Sequence, residues 1–329
     1  MTDQAITAPA LVLHGKPGGI SWQARLLNSL FRHLVKRPVR KAGTSPRAMR
    51  SVVRLLEWVS PRRGMGGPLK ATAIAGVPCD VIGPQHPRAE ERVVLYLHGG
   101  GFFAHLPRSY RRFGRRLAQN FGATVVLPAY RLAPEHRYPA ASDDCLAVYR
   151  KLLDRGHDPA SICLMGDSAG GNLALVTLLR ARDAQLPLPA CAILLSPGAD
   201  LTFAGASYRG NADADPFIPV QALGQLVEQY VDADQVSHPY VSPMLGDFTG
   251  LPPLQILVGS TEVLLDSSIS TAESSRTDGV DVVLQVWRDM PHVFPIFGYL
   301  PEAHLAMQTM AGFFDHHTTK GAKPPPGDK

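Results

Sequence analysis

The sequence predicts an α/β protein whose mostly parallel central sheet is flanked by helices. Three observations point there. Short apolar runs rich in β-branched residues alternate with helical periodicity over most of the chain, as parallel strands with both faces covered require. Hydrophobic residues make up 45% of the 329 positions and charged residues 19%, a balance that can bury a large core and excludes disorder as the main state. Two regions break the alternation, one at the N-terminus and one after the fourth predicted strand. One α/β domain can absorb this length.

Taken in order, the segment from Ser21 to Arg37 places Trp22, Leu26, Leu27, Leu30, Phe31 and Leu34 at helical spacing, with Arg25, Arg32 and Lys36 mostly on other faces. A second helical pattern runs from Ser45 to Trp58, and PRRGMGGP at 61–68 reads as a loop. Strands are expected at Arg92–Leu97, Ala123–Pro128, Ser161–Met165, Ala190–Leu195, Leu254–Val258 and Val282–Trp287. Helices are expected near 108–120, 139–155, 169–183, 267–278 and 301–315. From about Asp200 to Pro253 no clear strand occurs, and this stretch reads as an insertion with its own helix around Val220–Val231. The final GAKPPPGDK reads as a disordered tail.

The net charge of +5 hides an asymmetry: residues 1–70 hold 13 Lys and Arg against 2 Asp and Glu, the remainder 20 against 26. No recognisable nucleic-acid module accompanies the basic segment, so no nucleic-acid partner is expected. The basic amphipathic stretch 21–37 could lie on an anionic membrane, but packing of its apolar face on the protein accounts for it equally well. Membrane association is therefore not expected, and no apolar run approaches the ~20 residues that span a bilayer. No Lys or Arg precedes Lys16, so the charged start of a secretory signal is missing. Cys79, Cys145, Cys163 and Cys191 mostly sit in apolar runs and read as buried reduced thiols, not as a disulfide framework or metal site. The expectation is a cytoplasmic protein without metal or organic cofactor. Its oligomeric state, including a homodimer, stays open.

Chemistry concentrates in four places. Gly166-Asp167-Ser168-Ala169-Gly170 matches G-x-S-x-G, weak alone but here set between a predicted strand and a predicted helix. On that tight turn Ser168 is a candidate nucleophile; a capping serine is the plainer alternative. His98-Gly99-Gly100-Gly101 follows another strand, and successive glycines expose backbone N–H groups that can hold a developing oxyanion, joined by that of Ala169. A phosphate loop is disfavoured because no Lys-Ser/Thr follows, and His98 itself reads as a structural hydrogen-bonder. A serine needs a base. Of the five histidines after Ser168, His292 follows a strand's C-terminal end, where open α/β sheets place their chemistry. His238 is a second candidate, whereas His304, His316 and His317 fall in the C-terminal helix and tail. An acid should follow the strand Leu254–Val258, where Glu262 and Asp266 both stand.

With these motifs in hand, the chain resembles bacterial hormone-sensitive-lipase-type (family IV) carboxylesterases, an α/β-hydrolase group with a helical cap. The resemblance runs from about residue 92 to 305 and rests on HGGGF at 98–102, YRLAPEHRYPAA at 130–141, GDSAGGNLA at 166–174 and HPYVSPM at 238–244. It implies an α/β-hydrolase fold, a catalytic triad of Ser168, Glu262 and His292, and an oxyanion hole on Gly100, Gly101 and Ala169. It also implies a cap built from N-terminal helices at 1–65 and the insertion at about 200–250, on a catalytic domain spanning 66–320, with 321–329 as tail. Two departures stand out: Glu262-Val263 replaces the usual Asp-Pro, and Val293 follows the histidine where relatives often carry Gly. These local sequences resemble a subgroup of acetyl-hydrolases and a monoterpene ε-lactone hydrolase, implying a small ester or lactone substrate. Phe102, Phe103, Phe217, Leu265, Val293 and Phe294 are candidates to line an apolar pocket. A non-catalytic binding protein on the same fold is the alternative of a different class, and the joint presence of Ser168, Glu262 and His292 argues against it.

Overall fold

A computed structural model describes residues 12–14, 19–38, 50, 57, 69–85 and 91–318. The helix expected over 45–58 (residues 50 and 57 apart), the loop at 61–68 and the tail at 321–329 lie outside the described residues. Among the described residues nine strands make one sheet: β1 (Val12–His14), β2 (Leu69–Ile74), β3 (Val77–Ile82), β4 (Val93–Leu97), β5 (Thr124–Pro128), β6 (Ile162–Asp167), β7 (Cys191–Leu195), β8 (Leu254–Gly259) and β9 (Val282–Trp287). Their order is β1-β9-β8-β7-β6-β4-β5-β3-β2, antiparallel only where β3 meets β5 and β2.

Six of the nine coincide with the strands expected from sequence to within two residues at either end. The central ones read clearly because β4, β6, β7 and β8 are buried along their whole length, so their runs are continuously apolar. Period-two alternation then divides them. Val93, Leu95, Leu97, Ile162, Leu164, Ala192 and Leu194 face one core; Val94, Tyr96, Cys163, Met165, Cys191 and Ile193 face the other. All four cysteines are buried free thiols.

The sequence reading missed the other three strands. β2 and β3 form a hairpin about Ala75-Gly76, both at positive φ, as a tight two-residue turn requires. β2 is a mostly exposed edge, so its apolar signal is weak. β1 has three residues and extends the sheet beyond β9, so the N-terminal stretch at 1–65 is not wholly helical.

Helices cover both faces. α1 (Trp22–Phe31), α2 (Pro107–Phe121) and the C-terminal helix Pro301–Thr318 pack on one core, with α3 (Ala140–Asp154), α4 (Ala169–Asp183) and the helix Leu265–Thr277 on the other. α2 begins with Pro107 and ends against Gly122 in the left-handed region, the favoured start and stop. α1 is capped by Ser21, whose own N–H and hydroxyl reach Glu302. Its stripe divides: Ala24, Leu27 and Phe31 are buried, while Trp22, Leu26 and Leu30 stay exposed. The insertion holds α5 (Ser207–Gly210) and α6 (Val220–Tyr230), and no strand among the described residues; α7 denotes Leu265–Thr277 and α8 Pro301–Thr318. Among the described residues, no helix is long and apolar enough to cross a membrane.

Where α4 leaves β6, its first turn lies directly on β4. A Cβ at Gly170 would overlap the carbonyls of Leu97 and His98, backbone that cannot swing away. Gly170→Ala is expected to destabilise the fold by about 1–3 kcal/mol through overpacking, read as a lower denaturant midpoint. An unchanged midpoint would show that helix and strand have room to part.

Candidate active site

The chain turns from strand to helix at a single residue. β6 ends at Asp167, α4 begins at Ala169, and Ser168 between them has φ 54° and ψ −119°, which is unfavourable for a side chain with a Cβ. Its neighbours hold it there: the Ser168 N–H donates to the Leu195 carbonyl at 2.9 Å, and its carbonyl accepts from Gly198 at 3.0 Å. The buried Asn172 side chain donates to the carbonyls of Gly198 and Val241, both at 2.8 Å, fixing the loop beside it.

The glycine loop leaves the neighbouring strand β4 at the same sheet edge. Gly100 has φ +121° and Gly101 φ +61°, conformations that glycine adopts without strain. Neither N–H has an acceptor among the described residues, and Ala169, as the first residue of α4, offers an N–H with no intrahelical partner. One side chain ties loop to turn. Asp167 accepts from the Gly99 N–H at 2.8 Å and from the hydroxyls of Tyr96 and Tyr110 at 2.7 and 2.9 Å. Burial pushes its pKa up, opposed by those tyrosines and the Gly99 N–H. His98 stacks between His105 and Tyr130, its Nδ1 2.7 Å from the Gly99 carbonyl. Burial, with His105 nearby, holds its pKa well below the ordinary value, so it is a neutral structural group.

His292 sits in the loop after β9, 4% exposed, with Nδ1 2.7 Å from Glu262 Oε2. Glu262 is fully buried after β8, and its Oε1 accepts from Ser196 Oγ at 2.8 Å and the Gly259 N–H at 2.6 Å. Nδ1 therefore carries a proton toward the carboxylate, leaving Nε2 as the basic nitrogen. Burial by itself would lower the His292 pKa. The hydrogen bond and charge of Glu262, with the charges of Asp215 and Asp167, outweigh it and hold the pKa above its ordinary value.

The other sequence candidates separate in space. Asp266, in the first turn of α7, accepts from the Ser207 N–H at 2.7 Å and anchors the insertion instead of meeting His292. His238 lies in a surface groove beside Arg182, Asp183 and Tyr240, its Nδ1 accepting from the Tyr240 N–H. Among the expected pocket residues, Phe217 stacks on the His292 ring at 5.7 Å between centroids, and Phe102 stacks on Tyr230 of the insertion at 3.8 Å. Phe103 is buried, its ring edge against Gly101; Val293 is nearly buried; Leu265 packs on the α3/α4 core. Phe294 turns inward onto Trp287, 1% exposed, as part of the α2/α8 core. It does not line open space, because Val293 adopts the left-handed region and reverses the chain there. Sequence reasoning missed Ser196, Tyr96, Tyr110 and Asp215. Only Ser196 had a readable cue, a polar residue just past the carboxyl end of a central strand.

The geometry generates two expectations. A base must be neutral to act, so kcat/KM should fall as pH drops through a pKa above the ordinary histidine value of about 6.5. A pH–rate profile with its acid limb below that value would contradict the charge arrangement around His292. A Cβ at Gly100 would overlap the Ala104 carbonyl. Gly100→Ala should therefore displace the loop donors and cost roughly 10²–10³ in kcat, as loss of one oxyanion donor does. A loss confined to KM would mean that the loop only shapes the pocket.

Known proteins resemble this arrangement. A sequence profile of the alpha/beta hydrolase fold matches residues 94–296. An acetyl-hydrolase of Streptomyces hygroscopicus is 39% identical over 72% of this chain and 79% of its own length. An esterase of Acinetobacter venetianus is 33% identical over 90% of this chain and 97% of its own. Among solved structures, an esterase of the bacterial hormone-sensitive lipase family superposes with a TM-score of 0.84 at 32% identity, covering 91% of this chain and 99% of that one.

Proposed function

The chain belongs to the α/β-hydrolase fold family, in its bacterial hormone-sensitive-lipase group of esterases, and from that premise we propose that it hydrolyses short-chain acyl esters through an acyl-enzyme on Ser168. It is a carboxylesterase-type hydrolase. The observation that carries the finer reading is the buried Glu262–His292 hydrogen bond at the edge of the sheet where Ser168 occupies its strained turn.

In this mechanism Ser168 Oγ adds to the ester carbonyl carbon while His292 Nε2 takes the hydroxyl proton. Glu262 holds the ring in the Nδ1–H tautomer and stabilises the imidazolium. The carbonyl oxygen becomes an oxyanion on the N–H groups of Gly100, Gly101 and Ala169. As the tetrahedral intermediate collapses, the C–O bond breaks and His292 returns the proton to the leaving alcohol. Water, deprotonated by His292, then adds to the acyl-enzyme, and collapse releases the acid and restores Ser168. No step calls for a metal or organic cofactor. The helix α1 and the insertion form the cap, and the aromatic rings of Phe102 and Phe217 support an apolar acyl or alcohol group. The acetyl-hydrolase of Streptomyces supports a small acyl group.

Ser168→Ala should abolish turnover and organophosphate labelling while leaving the fold intact; near-normal turnover would sink the mechanism. Glu262→Gln should cut kcat by about 10⁴, as the corresponding amide swap does in a serine triad. Asp266→Asn should act mainly on stability, by about 0.3–1 kcal/mol or somewhat more, through the lost charge at a helix start and its weakened contact with Ser207. An inactive Asp266→Asn beside an active Glu262→Gln would reverse the assignment. A panel of p-nitrophenyl esters of rising chain length, with lactones alongside, tests the substrate class; preference for long chains or lactones would overturn the short-chain ester reading.

A further inference from the structure

The insertion does more than roof the site: it grips the backbone that carries Glu262. Three of its side chains, spaced four residues apart, reach the loop after β8. Ser207 Oγ donates to the Val263 carbonyl at 2.8 Å, and its N–H donates to Asp266 Oδ2. Asn211 Nδ2 donates to the Glu262 carbonyl at 2.8 Å. Asp215 Oδ2 accepts from the Val263 N–H at 3.0 Å. The Glu262–Val263 peptide is thus held at both ends, its oxygen by Asn211 and its N–H by Asp215. That peptide sets where the Glu262 side chain leaves the backbone, and hence where the imidazole of His292 is held.

The same carboxylate also seats the aromatic ring above the imidazole. Asp215 Oδ1 accepts from the N–H groups of Phe217 and Ile218 at 2.8 and 2.9 Å, fixing the turn that lays Phe217 on His292. Asp215 is completely buried, and burial with the charge of Glu262 pushes its pKa up; opposing them are His292 and the N–H groups, which are the donors its two carboxylate oxygens meet. Such donors suit an anion, since a protonated carboxyl would need an acceptor for its own hydrogen. The N-terminal segment secures the strip from behind. The nearly buried Lys36 ammonium donates to the carbonyls of Ala212 and Asp215, both at 2.5 Å, and Arg32 donates to that of Ala214. Phe31 of α1 meets Phe217 edge-on at 4.9 Å.

We propose that Asp215 is a positioning residue of the hydrolase: its carboxylate holds the Glu262–Val263 peptide and the Phe217 turn together, so that the cap and the acid–base pair are set in place as one unit. The inference rests on Glu262 and His292 acting as acid and base. It has an electrostatic consequence as well. The charged groups around His292 are Glu262, Asp215 and Asp167; those around Asp215 are Glu262, His292 and, from the N-terminal segment, Lys36. Removing the Asp215 charge takes away one negative neighbour that favours the imidazolium.

Asp215→Asn tests this, because an amide offers one acceptor where two are used and carries no charge. Its kcat should fall roughly 10–100-fold, the cost of misplacing a reacting group by about an ångström. KM for a small ester should change less than about threefold, and the acid limb of kcat/KM should move to lower pH. Asn211→Ala removes the amide that donates to the carbonyls of Glu262 and Ser260 but no charge, so kcat should fall while the acid limb stays in place. A merely structural role for Asp215 predicts something else: activity lost in proportion to unfolded protein, with the limb unmoved. That result overturns the proposal, as does an Asp215→Asn enzyme with wild-type kcat. If Asp215→Asn does not fold, an Asn211→Ala enzyme with wild-type kcat overturns it. Glu262→Gln, assayed alongside, separates the two levels. An active Glu262→Gln enzyme removes the acid–base reading itself, whereas an inactive one beside a fully active Asp215→Asn removes only the present inference.

Discussion

A carboxylate withdrawn from water costs several kcal/mol unless its oxygens find donors, and three such groups meet at one edge of this sheet. Asp167, Asp215 and Glu262 are each at most 1% exposed. Their donors come from elements far apart in sequence: Tyr96, Gly99 and Tyr110 for Asp167, Ser196, Gly259 and His292 for Glu262, Phe217, Ile218 and Val263 for Asp215. Satisfying each buried carboxyl group therefore cross-links loops that the sheet alone would leave independent. The glycine loop is tied to the Ser168 turn, Glu262 to the ends of β7 and β8, and the insertion to the Glu262 peptide.

This arrangement explains how a strained residue and a run of glycines can form a rigid site. Ser168 has an unfavourable backbone conformation, and glycines 99–101 have no side chains with which to lock themselves. Rigidity comes from outside: from β6 and β7 through the Ser168 N–H, and from Asp167 through Gly99. Preorganised donors of this kind are effective because they need not reorient as charge develops. Surrounding burial strengthens the effect, since a lower local dielectric enlarges every charge interaction within it.

The N-terminal segment and the insertion act on the same few atoms from opposite directions. Phe31 and Lys36 approach from the N-terminal segment, Asn211, Asp215 and Phe217 from the insertion, and they converge beside Glu262 and His292. A segment joined to the core only by apolar contacts could slide over it. One joined by directional hydrogen bonds to the Glu262–Val263 peptide is held in register.

By itself the sequence determined the α/β class, six of the nine strands, the strand-to-helix setting of Ser168 and the loop that carries His292. These are local properties. A strand buried on both faces writes itself as a continuous apolar run, and a tight turn demands its glycines in place. The edge strands β1 and β2 left no such mark, one too short and the other largely in water. Tertiary structure decided what depends on atoms distant along the chain. Glu262 and Asp266 follow the same strand and are chemically alike; Ser207, some sixty residues earlier, engages Asp266, while Glu262 alone meets His292. The inward turn of Phe294 and the placing of Asp215 against Val263 were decided in the same way. Periodicity records which face a residue prefers, but not which partner it finds there.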